Sequence, residues 1–341
     1  MKRRELGFSG VRKAPAGKIL LLALLCASCG HKTETVTEAV TSPPPALAPS
    51  PASISAPPAA PKELWKEFSG TAAFAHVERL VDFGPRPSGS EALEKARKYI
   101  TDAVQGRGWQ VIPQKFVDLT PRGPVTFVNL IARFGTAGGG PVSDAAQRVI
   151  IASHYDTKIF DTIRFVGADD GGSSTGALIE LARVLALDPD LARRVELVFF
   201  DGEEAVVQFT ELDGLYGSRY YAHVLRETHR NRQFKFGIVW DMIGPSDLNI
   251  TIPPDSPPEL ARGIFAAADA LGARSSFSYF RSPILDDHTP LNESHIPTID
   301  LIDFDFIYWH TADDTLDKLS PESLQKVGAV TLYLLRQADT K

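Results

Sequence analysis

Three runs of apolar residues each break off at a histidine or a carboxylate. VIIAS ends at His154, ELVFF leads into Glu203 and Glu204, and GIVW ends at Asp241. None of these runs alternates apolar with polar, so both faces of each segment must be covered. That is the pattern of strands in an α/β sheet. Side chains just past such strands gather at the carboxyl edge of the sheet, where open α/β folds place their active sites. Asp156 in HYDT, Asp170 in GADD and His310 in YWHTADD also follow apolar segments. One such coincidence carries little, but the repeated pattern points to a bound metal. The only cysteines, Cys26 and Cys29, stand in the N-terminal segment. A metal site in the folded part must therefore use His, Asp and Glu, a donor set that suits catalytic zinc.

Helical and strand patterns alternate along the chain. Helices are expected over 91–106, 176–186 (amphipathic), 215–225 and 322–335, the last with Ser320 as N-cap ahead of Pro321. Strands are expected over 126–134, 148–153, 195–200, 236–240 and 297–302. The glycine-rich stretch that begins at Gly135 lacks the Lys-Ser or Lys-Thr ending of a phosphate loop. This order predicts a single α/β domain over residues 62–341, with a mixed, mostly parallel central sheet flanked by helices.

Ahead of that domain the composition changes twice. A basic segment precedes ILLLALL, which is too short to span a bilayer, and small residues then lead to Cys29. Residues 1–29 read as an export signal, and they resemble a bacterial lipoprotein signal with Cys29 as the lipidated residue. Residues 30–61 are rich in Pro, Ala and Ser and read as a disordered tether. An exported protein, lipid-anchored to a bacterial membrane and facing the periplasm or the exterior, is the expectation. A net charge of -6 and no basic stripe argue against nucleic acid as a partner.

As chemistry, Asp170, Glu204 and His310 offer one three-ligand zinc set, and His154 with Asp241 offers a second, bridged by Asp170. Adjacent acids such as Glu203 and Glu204 would repel. Their pairing makes sense if one is neutralised by metal and the other is free as a general base.

At these residues the chain resembles the zinc-dependent exopeptidase family of bacterial leucyl-type aminopeptidases and animal-type glutaminyl cyclases. HYDT, GADD, DGEE, WDMIG and WHTADDTLDKL carry the resemblance, which opens with FGPRPSGS and covers about residues 78–338. It implies the family's mixed, mostly parallel sheet. It also implies Asp170, Glu204 and His310 as zinc ligands and Glu203 as the acid–base residue. His154 and Asp241 match the second zinc's ligands of the aminopeptidases, and Asp156 matches a residue that orients His154.

The stretch after Glu204 resembles the cyclase branch. Nine residues, AVVQFTELD, stand before Gly214, where aminopeptidases have almost none. The resemblance then places Phe209 and Trp309 at the substrate and Asp286 at the catalytic aspartate, with Asp241 hydrogen-bonded to it. The implied reaction is cyclisation of an N-terminal glutamine on a peptide or protein, with one zinc per chain, in a monomer. The alternative is a two-zinc aminopeptidase. Three features depart from the cyclases: Leu285 stands where they have glutamine, and GADDGGSSTGA and HTADDTLDKLSPESL are closer to the peptidases. A non-catalytic binding domain on the same fold would have lost ligands that this chain retains. His288 is expected to pack or cap a loop.

Overall fold

A computed structural model describes residues 60–135 and 148–339, with the side chain of Asp339 excepted. The signal segment with Cys29, nearly all of the tether and the glycine-rich connection after Gly135 lie outside the described residues. The described helices are α1 (Gly70–Asp82), α2 (Glu91–Gln105), α3 (Gly172–Leu185), α4 (Pro189–Ala192), α5 (Tyr216–Glu227), α6 (Pro258–Ala270), α7 (His288–Glu293) and α8 (Pro321–Asp339). The strands are β1 (Trp109–Thr120), β2 (Gly123–Phe134), β3 (Arg148–His154), β4 (Val195–Phe200), β5 (Phe234–Asp241), β6 (Ile250–Ile252), β7 (Phe277–Tyr279) and β8 (Thr298–Ile302).

Six strands form the central sheet in the order β1-β2-β4-β3-β5-β8. The pairs β4–β3, β3–β5 and β5–β8 are parallel, and β2 is antiparallel to both β1 and β4. The expected mixed, mostly parallel sheet is therefore the one observed. Side chains of β3 and β4 alternate between two cores. Ile151, Leu197 and Phe199 face a large cluster under α1, α2, α3, α6 and α8, while Ile150, Ala152, Val198 and Phe200 pack toward α5 and α7. Both faces are covered, which is why these strands read as unbroken apolar runs.

From β3 the chain crosses by α3 to β4 on one side, and then by α5 to β5 on the other. Connections that leave in opposite directions open a crevice at the carboxyl end of β3. His154 is the last residue of that strand. A separate parallel pair, β6 and β7, is joined by α6 and delivers the segment that ends at Asp286.

The helix expected over 176–186 starts earlier, at Gly172, and is not amphipathic. Every residue of α3 except Arg183 is buried, because the sheet lies on one side and α1 and α8 on the others. Ser320 caps α8 as expected, its Oγ accepting from the Glu322 amide at 3.1 Å.

The contact of α1 with α3 is close to backbone on backbone. A Cβ added at Gly176 would come within 2.6 Å of Val77 Cγ2 and 2.9 Å of the Ala73 carbonyl oxygen. Gly176→Val should therefore destabilise the domain by about 1–3 kcal/mol. The measurement is the urea midpoint at constant m value, and an unchanged midpoint would refute this packing.

Candidate active site

The ends of parallel strands coincide, and that brings the expected ligands together. His154 closes β3, Asp241 closes β5, and Glu203 and Glu204 stand in the turn after β4. Asp170 lies just ahead of α3, where a helix N-terminus favours negative charge. His310 comes from the loop between β8 and α8 in a left-handed conformation, φ 56°, which is strained for a non-glycine residue.

Asp170 sits between the two histidines. Its Oδ1 is 3.2 Å from His154 Nε2 and its Oδ2 is 3.4 Å from His310 Nε2. His154 Nε2 is also 3.2 Å from Asp241 Oδ1, and His310 Nε2 is 3.1 Å from Glu204 Oε1. Donor atoms around a tetrahedral zinc at ordinary bond lengths lie about 3.3 Å apart. The donor spacing fits such an ion. So does Asp170 Oδ2, which is buried without a hydrogen-bond partner. Two three-ligand groups result, His154–Asp170–Asp241 and Asp170–Glu204–His310, with Asp170 common to both.

The acids nearby are held away from their ordinary behaviour. Burial pushes the Glu203 carboxyl well above the usual range, and Glu204 and Asp286 add to this against the pull of His154. Asp286 is pushed up to about 6 by burial and then by Asp241. Burial works against charge on His310, but the neighbouring carboxylates of Asp170 and Glu204 outweigh that and raise it to about 9. A carboxyl poised nearer neutrality suits proton transfer.

A cavity of about 480 Å³ opens over these groups, within the usual size of a small-ligand site. Asp170, Glu203, Glu204, Asp241, Asp286, Phe209, Trp309 and His310 all line it. His154 and Asp156 are buried and do not line it. Trp309 stacks on His310 with centroids 4.2 Å apart, and Phe209 rests on Gly214. Asp241 faces two of the expected groups. Its carboxylate bonds to His154, and its charge also acts on Asp286. His288 stays out of the cavity, with Nδ1 3.5 Å from Asp300 Oδ2.

Several positioning groups escaped the sequence reading. Asp156 does more than face His154 Nδ1 at 3.5 Å, since its two oxygens also accept the amides of Glu203 and Glu204. Asp314 accepts the amides of Asp169 and Asp170 at 2.8 and 3.2 Å. Asp213 accepts three consecutive amides, those of Val206, Val207 and Gln208, and the Tyr216 hydroxyl. The guanidinium of Arg86, fully buried, donates to the carbonyls of Tyr155, Val166 and Gly167, flanking both ligand loops. Lys158 Nζ lies 3.5 Å from Glu204 Oε2 and donates to the Ala205 carbonyl. Only motif position hinted at these residues: Arg86 in FGPRPSGS, Lys158 after HYDT, and Asp314 in HTADD.

A model of peptidase family M28 matches residues 129–335. Glutaminyl-peptide cyclotransferase from Bothrops jararaca is 31% identical over 290 residues, which cover 73% of this chain and 76% of that protein. The solved glutaminyl cyclase of an Acidobacteriales bacterium superposes with a TM-score of 0.73 at 31% identity, over 86% of this chain and 99% of that one. A Zn-dependent exopeptidase from Parabacteroides distasonis superposes with a TM-score of 0.70 at 26% identity, over 79% of this chain and 98% of that one.

Metal and proton should compete at His310. Apparent zinc affinity, measured against a chromophoric chelator, should rise between pH 6.5 and about 9 as His310 loses its proton. Without metal the sign reverses for stability. The raised His310 contributes fully below pH 6.5, and its contribution is lost as pH rises through about 9. Asp170→Asn should weaken zinc binding at both groups. Affinity that is flat with pH would argue against His310 as a ligand.

Proposed function

The chain belongs to peptidase family M28, and from that premise we propose that it is a glutaminyl-peptide cyclotransferase. It converts the N-terminal glutamine of a peptide or protein to pyroglutamate and releases ammonia. The observation that carries this reading is Asp286. It is a buried carboxyl that lines the same cavity as Glu203 and is grouped with His288 and Asp300, apart from the two groups that contain Asp170. Peptide hydrolysis has no evident use for it, whereas cyclisation needs a group to hold the carboxamide nitrogen. The likeness to glutaminyl cyclases and the nine-residue loop after Glu204, which carries Phe209 to the cavity, support the same reading.

The acidic floor of the cavity suits a free N-terminal ammonium. Glu203 takes the proton that the α-amine gives up as its nitrogen attacks the γ-carboxamide carbon. The ring C–N bond forms, the bond to the amide nitrogen breaks, and Glu203 returns the proton so that ammonia leaves. Asp286 accepts hydrogen bonds from the amide nitrogen, while Asp241, held by His154, adds negative charge beside it. Asp170, Glu204 and His310 would hold a zinc ion that supplies a Lewis acid for the carboxamide oxygen. Phe209 and Trp309 contact the substrate.

A second reading, a zinc aminopeptidase, draws on the complete His154–Asp170–Asp241 group, which offers places for two metals. In that reading Glu203 activates a water against the first peptide bond. We further propose export and lipid attachment at Cys29, with residues 30–61 as a spacer and the monomer as the working form.

A Gln-initiated peptide should lose the mass of one ammonia, while leucine p-nitroanilide should stay intact. Rapid release of nitroaniline would favour the second reading. Elemental analysis should find one zinc per chain for a cyclase and two for a peptidase. Glu203→Gln should lower turnover about 10²–10⁴-fold with zinc retained. Full turnover in that variant would remove Glu203 from its role.

A further inference from the structure

Among the described residues nine large apolar side chains are exposed, and three of them, Val207, Leu285 and Trp309, line the one cavity over the ligand groups. Isolated exposed apolar residues are ordinary; convergence on one opening is not. They come from three separate segments: the loop after β4, the segment after β7 and the loop after β8. Their exposures of 56%, 48% and 42% put them at the rim, whereas Glu203 at 8% and Asp286 at 3% lie at the floor. Phe280, Ile284 and Phe304 also line the cavity. Apart from the ligand groups, Glu203, Asp286 and Lys158, no charged residue lines the cavity.

The rim is also held in place. Asp213 is 3% exposed, and its carboxylate accepts the Val207 amide at 2.9 Å and the Gln208 amide at 3.0 Å. Trp309 is fixed by its stack on His310 and by Phe304, 5.2 Å away. Leu285 immediately precedes Asp286. A substrate held at Glu203 and Asp286 by its first residue must leave the cavity past this collar with its second.

We propose that Val207, Leu285 and Trp309 form a binding collar for the second residue of the peptide substrate and favour an apolar side chain there. The proposal rests on the reading that the cavity takes a peptide N-terminus. Leu285 is central, because an amide at that position would offer hydrogen bonds to a polar neighbour that leucine cannot. Asp213 acts as a positioning residue, since without its carboxylate the segment that carries Val207 loses three anchored amides.

The test separates the collar from the chemistry. Binding of peptides Gln-Phe, Gln-Leu, Gln-Ser and Gln-Asp with a common tail is measured on the zinc-loaded E203Q protein, where turnover does not intervene. Phe and Leu peptides should bind at least ~10-fold tighter than Ser and Asp peptides. Leu285→Gln and Val207→Ser should each reduce that ratio several-fold. Asp213→Asn should reduce it with zinc content unchanged, and Asp213→Ala more so. Affinities that agree within about twofold across the panel would overturn the collar. A ratio untouched by Leu285→Gln would overturn its place there. The cyclisation reading stands or falls separately, on ammonia release from the same peptides by the wild-type protein.

Discussion

The burial of like charge at one end of the sheet is the constraint on which the rest of this structure depends. Asp156, Asp170, Glu203, Glu204, Asp241 and Asp286 are all at most 8% exposed, and all lie near His154 and His310. Isolated carboxylates in such a place would cost several kcal/mol each. Here the charge is met in three ways: by the two histidines, by backbone amides and by the raised proton affinity of the most crowded acids. The donor spacing around Asp170 adds a fourth means, a bound cation. The same crowding that makes the site expensive to build raises Glu203 toward neutrality, where a carboxyl can both take and give a proton.

The amides that meet this charge also tie the loops together. Asp156, at the end of β3, holds the turn after β4, and Asp314 holds the segment ahead of α3 from near α8. Asp213 holds its own loop, and Arg86 clamps the carbonyls behind both ligand loops. Each of these side chains reaches backbone, so loop position and site electrostatics are set by the same bonds. The strained conformations at His310 and at Met242, next to Asp241, persist within this frame.

Much of the fold was legible in the residues. Strands over 195–200 and 148–153 emerged nearly in register, because covering on both faces leaves an unbroken apolar run. The long hairpin of β1 and β2 was half missed. β1 is an edge strand that contains Pro113 and Asp118 and buries few of its residues, so its pattern is weak. Helix α3 was found but misread as amphipathic, since Glu180 and Arg183 look like a solvent face, and its start was placed four residues late, since the buried Ser173, Ser174 and Thr175 look like a loop. Those side chains bond instead to Asp169, Ser153 and His154.

The ligand candidates were legible as well, for each follows an apolar segment and strand ends coincide in a parallel sheet. The sequence by itself determined the fold class, the donor set and the family, because these follow from local pattern and motif. Only the tertiary structure decided that Asp170 stands between two histidines, that Asp241 turns to His154, and that Asp156, Asp213 and Asp314 spend their oxygens on backbone amides. It alone also brought Val207, Leu285 and Trp309 to one rim. Such choices depend on pairs of residues up to 145 positions apart, as Asp169 and Asp314 are. Periodicity and spacing along a chain carry no record of which distant amide a carboxylate will meet.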